Sequence, residues 1–203
     1  MAVSELPRVK TKTYTIDDVW AMECDPVNEG RYFYLIDGEL REDPMPNRSH
    51  GNLQLGIGIR LKMFVGERSL GEVYTEVGHY VSKSLDTYLI PDVAYSSHDR
   101  LGASSPDEFV STMPDIAVEI KSPSNSMAQL RRKARTYLQH GATLVWLVLP
   151  EQSAVEEWQV GDDGKLRHRL VERAGALDGG TALPGFELAL SEIFPQTDKH
   201  RGG

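Results

Sequence analysis

A strand, a helix and a second strand follow one another in the middle of the chain, and this succession constrains the fold more than any other feature. Residues 115–121 (DIAVEIK) alternate polar or small side chains with β-branched apolar ones, which is the period of a strand. Residues 127–140 have helical spacing and end at Gly141, a typical C-cap. Residues 142–149 are almost entirely apolar, as in a strand buried on both faces. The pattern predicts a βαβ unit.

Shorter patterns predict further elements on both sides of this unit. Thr15, followed three residues later by Asp18, predicts a capping box. Asp37 and Gly38 form a strong tight-turn pair between two short strands. The predicted elements are helices over residues 16–23, 50–65 (capped by Ser49) and 190–194, strands over residues 31–36, 39–42, 72–82 and 88–96, and a hairpin around residues 161–164.

The alternation of strands and helices is typical of the α/β class. We expect a mixed β-sheet flanked by helices, with an N-terminal hairpin and a C-terminal strand extension. With 203 residues, of which 40% are hydrophobic, the chain is long enough to bury one core. We therefore expect a single domain over residues 13–195, an N-terminal arm over residues 1–12 and a loose C-terminal tail over residues 196–203.

The apolar segments are too short for a membrane protein. The longest, Leu144 to Leu149, is far below the roughly 18–20 residues that cross a bilayer, and residues 1–12 lack the apolar core of a signal peptide. We therefore expect a cytoplasmic protein with no membrane partner. Cys24 is the only cysteine, which excludes an intrachain disulfide and a cysteine-rich zinc module.

The charge of the chain is unevenly distributed. The net charge is −8, which by itself argues against tight, sequence-independent binding to nucleic acid. Residues 120–150, however, contain five basic residues and no acidic one. Such a basic island can attract a polyanion, and it can equally be the solvated face of a helix.

A carboxylate and an ammonium share one face of the strand at residues 115–121. Glu119 and Lys121 project to the same side because side chains two apart on a strand do so. For an isolated E-x-K tripeptide, a surface ion pair is the simpler interpretation. Asp92, on the preceding strand, adds a carboxylate that can meet Glu119 across strands about 4.8 Å apart, whereas Asp115 lies about 13 Å along the strand from Glu119. Two carboxylates together with water and phosphate suit Mg²⁺.

These segments together resemble a known nuclease family. The segments are YLIDGEL at residues 34–40, PDIAVEIKSPS at residues 114–124, Lys133 to Tyr137, and GATLVW at residues 141–146. In this succession the chain resembles the Uma-two (Uma2) family of the PD-(D/E)XK superfamily, whose core is restriction-endonuclease-like. The resemblance covers residues 13–195.

The resemblance implies a Mg²⁺-dependent phosphodiesterase that acts on DNA, with Mn²⁺ as a substitute metal. It implies that Asp92 and Glu119 are metal ligands and that Lys121 orients or stabilises the attacking water. A homodimer would suit an enzyme that cuts two strands.

Other residues are weaker candidates. Glu39, His50 and Glu76 are candidates for support of the metal site, and each is also explained as an ordinary polar residue of its element. Basic residues of the helix at residues 127–140 are candidates for phosphate contacts. Lys133 and Tyr137, four positions apart, resemble a helix motif of some relatives. This nucleic-acid-binding group is Arg131, Lys133, Arg135 and Tyr137.

Two other functions remain open from the sequence. One is a catalytically inactive domain of the same fold that binds nucleic acid or another partner. The other is a nuclease that acts on RNA, or on branched or single-stranded DNA, because a site of this kind attacks the phosphodiester without reading the base or sugar.

Overall fold

The structure is a computed structural model that describes residues 13–82, 86–102, 105 and 109–194. The predicted arm and the predicted tail lie outside these described residues.

Five α-helices and twelve strands are assigned within the described residues. The helices are α1 (Ile16–Glu23), α2 (Arg48–Arg68), α3 (His98–Leu101), α4 (Met127–Gln139) and α5 (Leu190–Ile193). The strands are β1 (Tyr32–Ile36), β2 (Glu39–Asp43), β3 (Gly71–Tyr74), β4 (His79–Tyr80), β5 (Tyr88–Leu89), β6 (Val93–Ser97), β7 (Ile116–Ile120), β8 (Leu144–Leu149), β9 (Ala154–Val160), β10 (Leu166–Glu172), β11 (Ala176–Asp178) and β12 (Glu187–Ala189).

The predicted βαβ unit lies at the centre of a six-stranded mixed sheet. The strand order is β10-β9-β8-β7-β6-β3, with β7 and β8 parallel and the other pairs antiparallel. The crossover between the parallel strands is α4, and every residue of β8 is buried. The α/β class and the mixed sheet flanked by helices are therefore confirmed, and β9 and β10 form the expected C-terminal extension.

Capping residues set the helix starts. The predicted capping box is present, with Thr15 and Asp18 bonding to each other's backbone amides at the start of α1. The prediction for α2 was wrong at its first residue, because the Asn47 side chain caps the helix by accepting from His50 N, and Ser49 lies inside the first turn. Among the described residues, no helix combines the length and the apolar run needed to cross a bilayer.

The six-stranded sheet is covered on both faces. Alternate residues of β7, including Val118, pack with Ile57 and Leu61 of α2 on one side. On the other side Ala117 packs with Leu130 and with other apolar residues of α4. Because Glu119 follows Ala117 by two positions, its side chain faces α4 rather than α2.

A second sheet has the order β2-β1-β5-β4. The prediction of single strands over residues 72–82 and 88–96 was wrong, because each of these segments is divided between the two sheets. Residues 72–82 supply β3 to the large sheet and β4 to the small one, and residues 88–96 supply β5 and β6 in the same way. The chain passes from the large sheet to the small one between β3 and β4, which is the first crossing, and again between β5 and β6, but in the opposite direction, which is the second. At the first crossing Glu76 has a φ of 56°, in the left-handed region that β-strands do not use. At Gly78, a Cβ would lie 2.2 Å from the Tyr88 hydroxyl, so the chain passes too close for a side chain.

Candidate active site

A solvent-open cleft lies where the two sheets separate, and its empty space, with the open mouth included, is about 510 Å³. Both crossings contribute to it, through Glu76 on the first and through Ile90 and Asp92 on the second. The lining residues are Tyr32, Asp43, Pro44, Pro46, His50, Glu76, Ile90, Asp92, Glu119, Ile120, Ser122, Asn125 and Leu130.

The two carboxylates predicted to meet across neighbouring strands do so. Val93 pairs with Val118 in the antiparallel β6–β7 ladder, so Asp92 lies opposite Glu119. The Asp92 side chain is fixed at both oxygens, because Oδ2 accepts from Ile120 N at 2.5 Å and Oδ1 lies 2.9 Å from a ring nitrogen of His50. Asp92 is therefore held in place by the end of β7 and the start of α2.

Glu119 is held from the opposite side by α4. Its residue is only 4% exposed. Oε1 accepts from the Tyr137 hydroxyl at 2.8 Å, and Oε2 lies 2.9 Å from the ammonium of Lys133. The spacing of these two residues, one helical turn apart on α4, lets them contact the two oxygens of one carboxylate.

Lys133 and Tyr137, which were predicted to contact nucleic acid, are both buried in this structure, and that contact stays a prediction. Lys133 is 2% exposed and Tyr137 is fully buried. The ammonium of Lys133 also contacts Asp43 Oδ2 at 2.8 Å and lies 4.4 Å from the centre of the Tyr34 ring. Both side chains point into the protein because they lie on the face of α4 that carries its buried apolar residues and that faces Glu119 of β7.

The pKa values of Glu119 and Lys133 depend on their burial and on the neighbouring carboxylates. Burial raises the pKa of Glu119 above its usual value, Lys133 opposes this rise, and the charges of Asp92 and Asp43 add to it. Burial by itself would lower the pKa of Lys133, but the carboxylates of Glu119 and Asp43 outweigh it and raise that pKa. Lys133 is therefore a permanent buried cation.

His50, a candidate from the sequence, lines the cleft. Burial works against its protonation, but the hydrogen bond and the charge of Asp92 raise the pKa of the imidazole above its usual value. Since a carboxylate only accepts, Nε2 carries the proton toward Asp92. Nδ1 then faces the Ser122 hydroxyl, at 3.5 Å.

Glu76, also a candidate, lies at the cleft with its two oxygens engaged. Oε1 accepts from Gln54 Nε2 at 3.1 Å, and Oε2 accepts from the Tyr32 hydroxyl at 3.2 Å. Gln54 also donates to the main-chain oxygen of Asp92 at 3.0 Å. Gln54 therefore joins the two crossings between the sheets.

Comparisons with known proteins agree with the fold. A family model described as "Putative restriction endonuclease" (Uma2) matches residues 17–191. The chain belongs to the Uma2 family. No curated protein sequence matches it.

The fold of this Uma2 family member is similar to that of a solved protein. A crystal structure of a "putative nuclease belonging to DUF820" from Anabaena variabilis superposes with a TM-score of 0.73 at 18% sequence identity. The match covers 89% of this chain and 97% of the other. At this identity the likeness concerns the fold.

Two predicted residues of this Uma2 family member lie outside the cleft lining. The ammonium of Lys121 is 3.9 Å from Glu151 Oε2, beyond the end of β7. Glu39 is half-exposed and pairs with Arg41 and Arg132 instead of approaching Asp92 or Glu119. A supporting role for Glu39 at the metal site stays a prediction.

The basic island is largely neutralised by carboxylates. Arg131 pairs with Glu156 at 2.5 Å, and Arg132 pairs with Glu39. Within the described part of the chain, Arg135 is the one member of the island without an ion pair, and its guanidinium lies 5.8 Å from the centre of the Trp158 ring. The predicted phosphate contacts of Arg131 and Arg135 stay a prediction, in which Arg131 would exchange its carboxylate partner for a phosphate.

Sequence reasoning missed several polar residues of the site, among them Gln54, Asp43 and Ser122. Gln54 was predictable as a site residue, since it follows His50 by four residues and so shares its helix face. Asp43 was not, because it closes a strand with no motif around it, whereas Ser122 directly follows the E-x-K tripeptide.

The donor set suits a hard divalent cation that keeps water or phosphate ligands. Four carboxylates line the cleft, and carboxylate oxygen is the ligand that Mg²⁺ prefers. In the described part of the chain, no group of three or more His, Cys, Asp or Glu side chains is arranged to hold a metal by itself. Asp92 and Glu119 are the residues that could hold such an ion, since Mg²⁺ is commonly bound by one or two carboxylates together with water and phosphate.

Proposed function

We propose that the chain is a metal-dependent endonuclease that hydrolyses DNA phosphodiester bonds in this cleft. The observation that carries the proposal is the position of Asp92 opposite Glu119, across adjacent strands and inside one acidic cleft. Membership of the Uma2 family supports the same reaction class.

The proposed cofactor is Mg²⁺, with Mn²⁺ as a substitute, held by Asp92 and Glu119. When bound, the ion would polarise the scissile phosphate and make the attacking water easier to deprotonate. The protein fixes both carboxylates before substrate arrives, through Ile120 N and His50 for Asp92 and through α4 for Glu119. Fixed ligands reduce the reorganisation that the reaction requires.

Lys133 has a positioning role in this proposal. Its ammonium holds one oxygen of Glu119 and leaves that oxygen a second lone pair for a cation. It also offsets the charge of Asp43 beside the cleft. Without this cation, a buried Glu119 would favour its protonated form and bind a metal less well.

Lys121 remains the proposed third catalytic residue. Its pair with Glu151 involves a carboxylate that is 71% exposed, and exposed pairs are worth about 0–1 kcal/mol. A substrate phosphate would therefore compete readily for the ammonium. In that position Lys121 would orient the attacking water or stabilise the developing charge.

The test is nicking of supercoiled plasmid with Mg²⁺, with Mn²⁺ and with a chelator. We expect wild-type protein to nick only with metal, and we expect Glu119→Gln and Lys121→Ala to lose at least a hundredfold in rate. Glu72→Gln, an exposed carboxylate on β3, is the matched control and should keep the wild-type rate. Equal nicking by all four proteins would indicate a contaminant and contradict the proposal.

Binding of Mn²⁺, measured by calorimetry, separates the metal site from turnover. We expect wild type and Lys121→Ala to bind one ion, and Glu119→Gln to bind it at least tenfold more weakly. The same variants assayed on RNA, on branched DNA and on single-stranded DNA identify the preferred substrate class.

A second candidate function is a domain of the same fold that binds nucleic acid or a partner without turnover. The neutralised island and the full engagement of both Glu119 oxygens favour it. It predicts no metal-dependent nicking and no Mn²⁺ binding.

A further inference from the structure

The outward face of α2 carries a stripe of exposed apolar side chains. Leu55, Ile59 and Met63 are 62%, 47% and 56% exposed. They are spaced four residues apart and therefore lie on one face of the helix, opposite the buried residues that cover the large sheet. Three large apolar residues in one row form a contiguous patch, which is the kind of surface that marks an interaction site.

Two glycines extend this stripe at its ends. Gly51 precedes Leu55 by four residues, and Gly66 follows Met63 by three. A Cβ added at either glycine would meet no atom within 4 Å, so packing inside the chain does not require them. Because glycine inside a helix costs about 1 kcal/mol relative to alanine, both positions are better explained by the close approach of another surface.

The stripe is almost symmetrical about Ile59. Leu55 and Met63 lie four residues on either side, and the two glycines lie eight and seven residues away. A surface that packs on its own copy about a two-fold axis must be self-complementary in this way.

The charges at the ends of α2 are complementary under the same symmetry. Arg48, in the first turn, and Glu67, in the last, are both exposed. In an antiparallel pair of α2 helices centred on Ile59, Arg48 would lie about 4.5 Å along the axis from the partner subunit's Glu67, within reach of its long side chain. Within one chain Glu67 contacts Arg68 at 3.2 Å, an exposed pair that is worth about 0–1 kcal/mol and that Arg48 could replace. The apolar centre and the charged ends therefore favour the same arrangement.

We propose that this face of α2 is a contact between two copies of the chain, with antiparallel helices crossing at Ile59. The inference is independent of the proposed nuclease function, because none of the stripe residues lines the cleft.

The size of the face predicts a weak dimer. A helix of 21 residues is about 31 Å long and about 10 Å wide, so the face offers about 300 Å². A standard interface buries about 800 Å² per partner. The dimer is therefore expected to depend on protein concentration.

The C-terminal segment is a poor alternative occupant. It follows α5, which contacts α2 through Arg60 and Glu192, but residues 195–203 (PQTDKHRGG) contain no large apolar side chain to cover the stripe.

Sedimentation of the full chain, from micromolar to submillimolar concentration, tests the proposal. We expect wild type to shift from monomer to dimer and Ile59→Asp to stay monomeric. The control is Val160→Asp, which changes an apolar residue of similar exposure, 45%, on β9 and should still dimerise. Thermal melting of each variant confirms that it is folded, since Ile59 is an exposed position.

Two further variants test the antiparallel geometry. Arg48→Glu should weaken the dimer at least fivefold, and the double variant Arg48→Glu with Glu67→Arg should restore it. In a Cys24→Ser background, Ile59→Cys should form a disulfide-linked dimer on mild oxidation, because the axis places the residue beside its own copy. Val160→Cys is the control that should not.

Three results would overturn the proposal. The first is a wild type that remains monomeric at every concentration. The second is a dimer that survives Ile59→Asp. The third is an Ile59→Cys thiol that is protected from reagents in a monomer, since a segment of the same chain would then cover the face.

Discussion

Two lysines accompany the candidate site, and the protein holds them in opposite ways. Lys133 is almost fully buried between Glu119 and Asp43, with both contacts under 3 Å. Lys121 lies at a strand end, 3.9 Å from a carboxylate on the surface. The comparison separates a lysine that contacts a buried carboxylate from one that pairs with an exposed carboxylate, although only Lys121 belongs to the E-x-K tripeptide.

The largest difference between the two lysines should appear in stability. Lys133→Met leaves the buried carboxylate of Glu119 and the partly buried one of Asp43 without a counter-charge and should lower the free energy of unfolding by about 3–5 kcal/mol. Lys121→Met, the matched control, should lower it by no more than about 1 kcal/mol. Urea denaturation measures both values.

A double variant shows whether that loss comes from an unpaired charge. Lys133→Met with Glu119→Leu replaces the buried pair by apolar side chains and should recover much of the stability. If it is no more stable than Lys133→Met alone, the unpaired Glu119 is not the cause.

His79 is a second buried polar side chain, and unlike Lys133 it is kept uncharged. The residue is fully buried, its Nδ1 donates to Thr112 O at 2.7 Å, and no described atom bonds its Nε2. Burial lowers the pKa of His79 to about 4, from 6.5. The unfolded chain therefore takes up a proton first on acidification, and stability present above pH 6.5 should fall by about 3 kcal/mol as the pH approaches 4.

The measurement is urea denaturation as a function of pH. His79→Phe should reduce the slope between pH 6.5 and pH 4 while it removes one hydrogen bond at all pH values. An unchanged slope in this variant would assign the acid sensitivity to other groups.

Tyr137→Phe measures how much the uncharged donor, the Tyr137 hydroxyl, contributes to holding Glu119. It removes the donor to a buried carboxylate oxygen and should cost about 1–3 kcal/mol in unfolding free energy. Tyr95→Phe, which loses a bond to the neutral carbonyl of Leu70, should cost about 1 kcal/mol. Similar losses in the two variants would mean that Lys133 alone holds Glu119.

The smallest expected effect is that of Glu151→Gln. The carboxylate is exposed, so stability should change by less than about 1 kcal/mol. If Lys121 serves the substrate, removal of its surface partner should leave plasmid nicking at the wild-type rate or above it. A loss comparable with that of Lys121→Ala would mean that the pair itself is required.

The parts of the fold that were predictable depend on local signals. The βαβ unit, the Thr15 capping box and the hairpin at Asp37 were predicted because hydrophobic period, caps and turns act over a few residues. The division of residues 72–82 and 88–96 between two sheets was missed. Each half keeps a strand-like pattern, and the period does not report which sheet a strand joins.

In the candidate site, too, some features were predictable from the sequence and others were not. The meeting of Asp92 and Glu119 followed from strand order, because facing positions on neighbouring strands are close. The partners of Lys133 could not be read from the sequence, since Asp43 lies 90 residues away from it in the chain.

The sequence by itself determined the α/β class, the central strands and the pair of carboxylates, because backbone sterics, burial period and capping are local properties. The tertiary structure alone decided that Lys133 and Tyr137 hold Glu119, that carboxylates neutralise most of the basic island, and that one face of α2 is left uncovered. These features depend on where distant segments pack, and charged side chains select partners only after the core has set their distances.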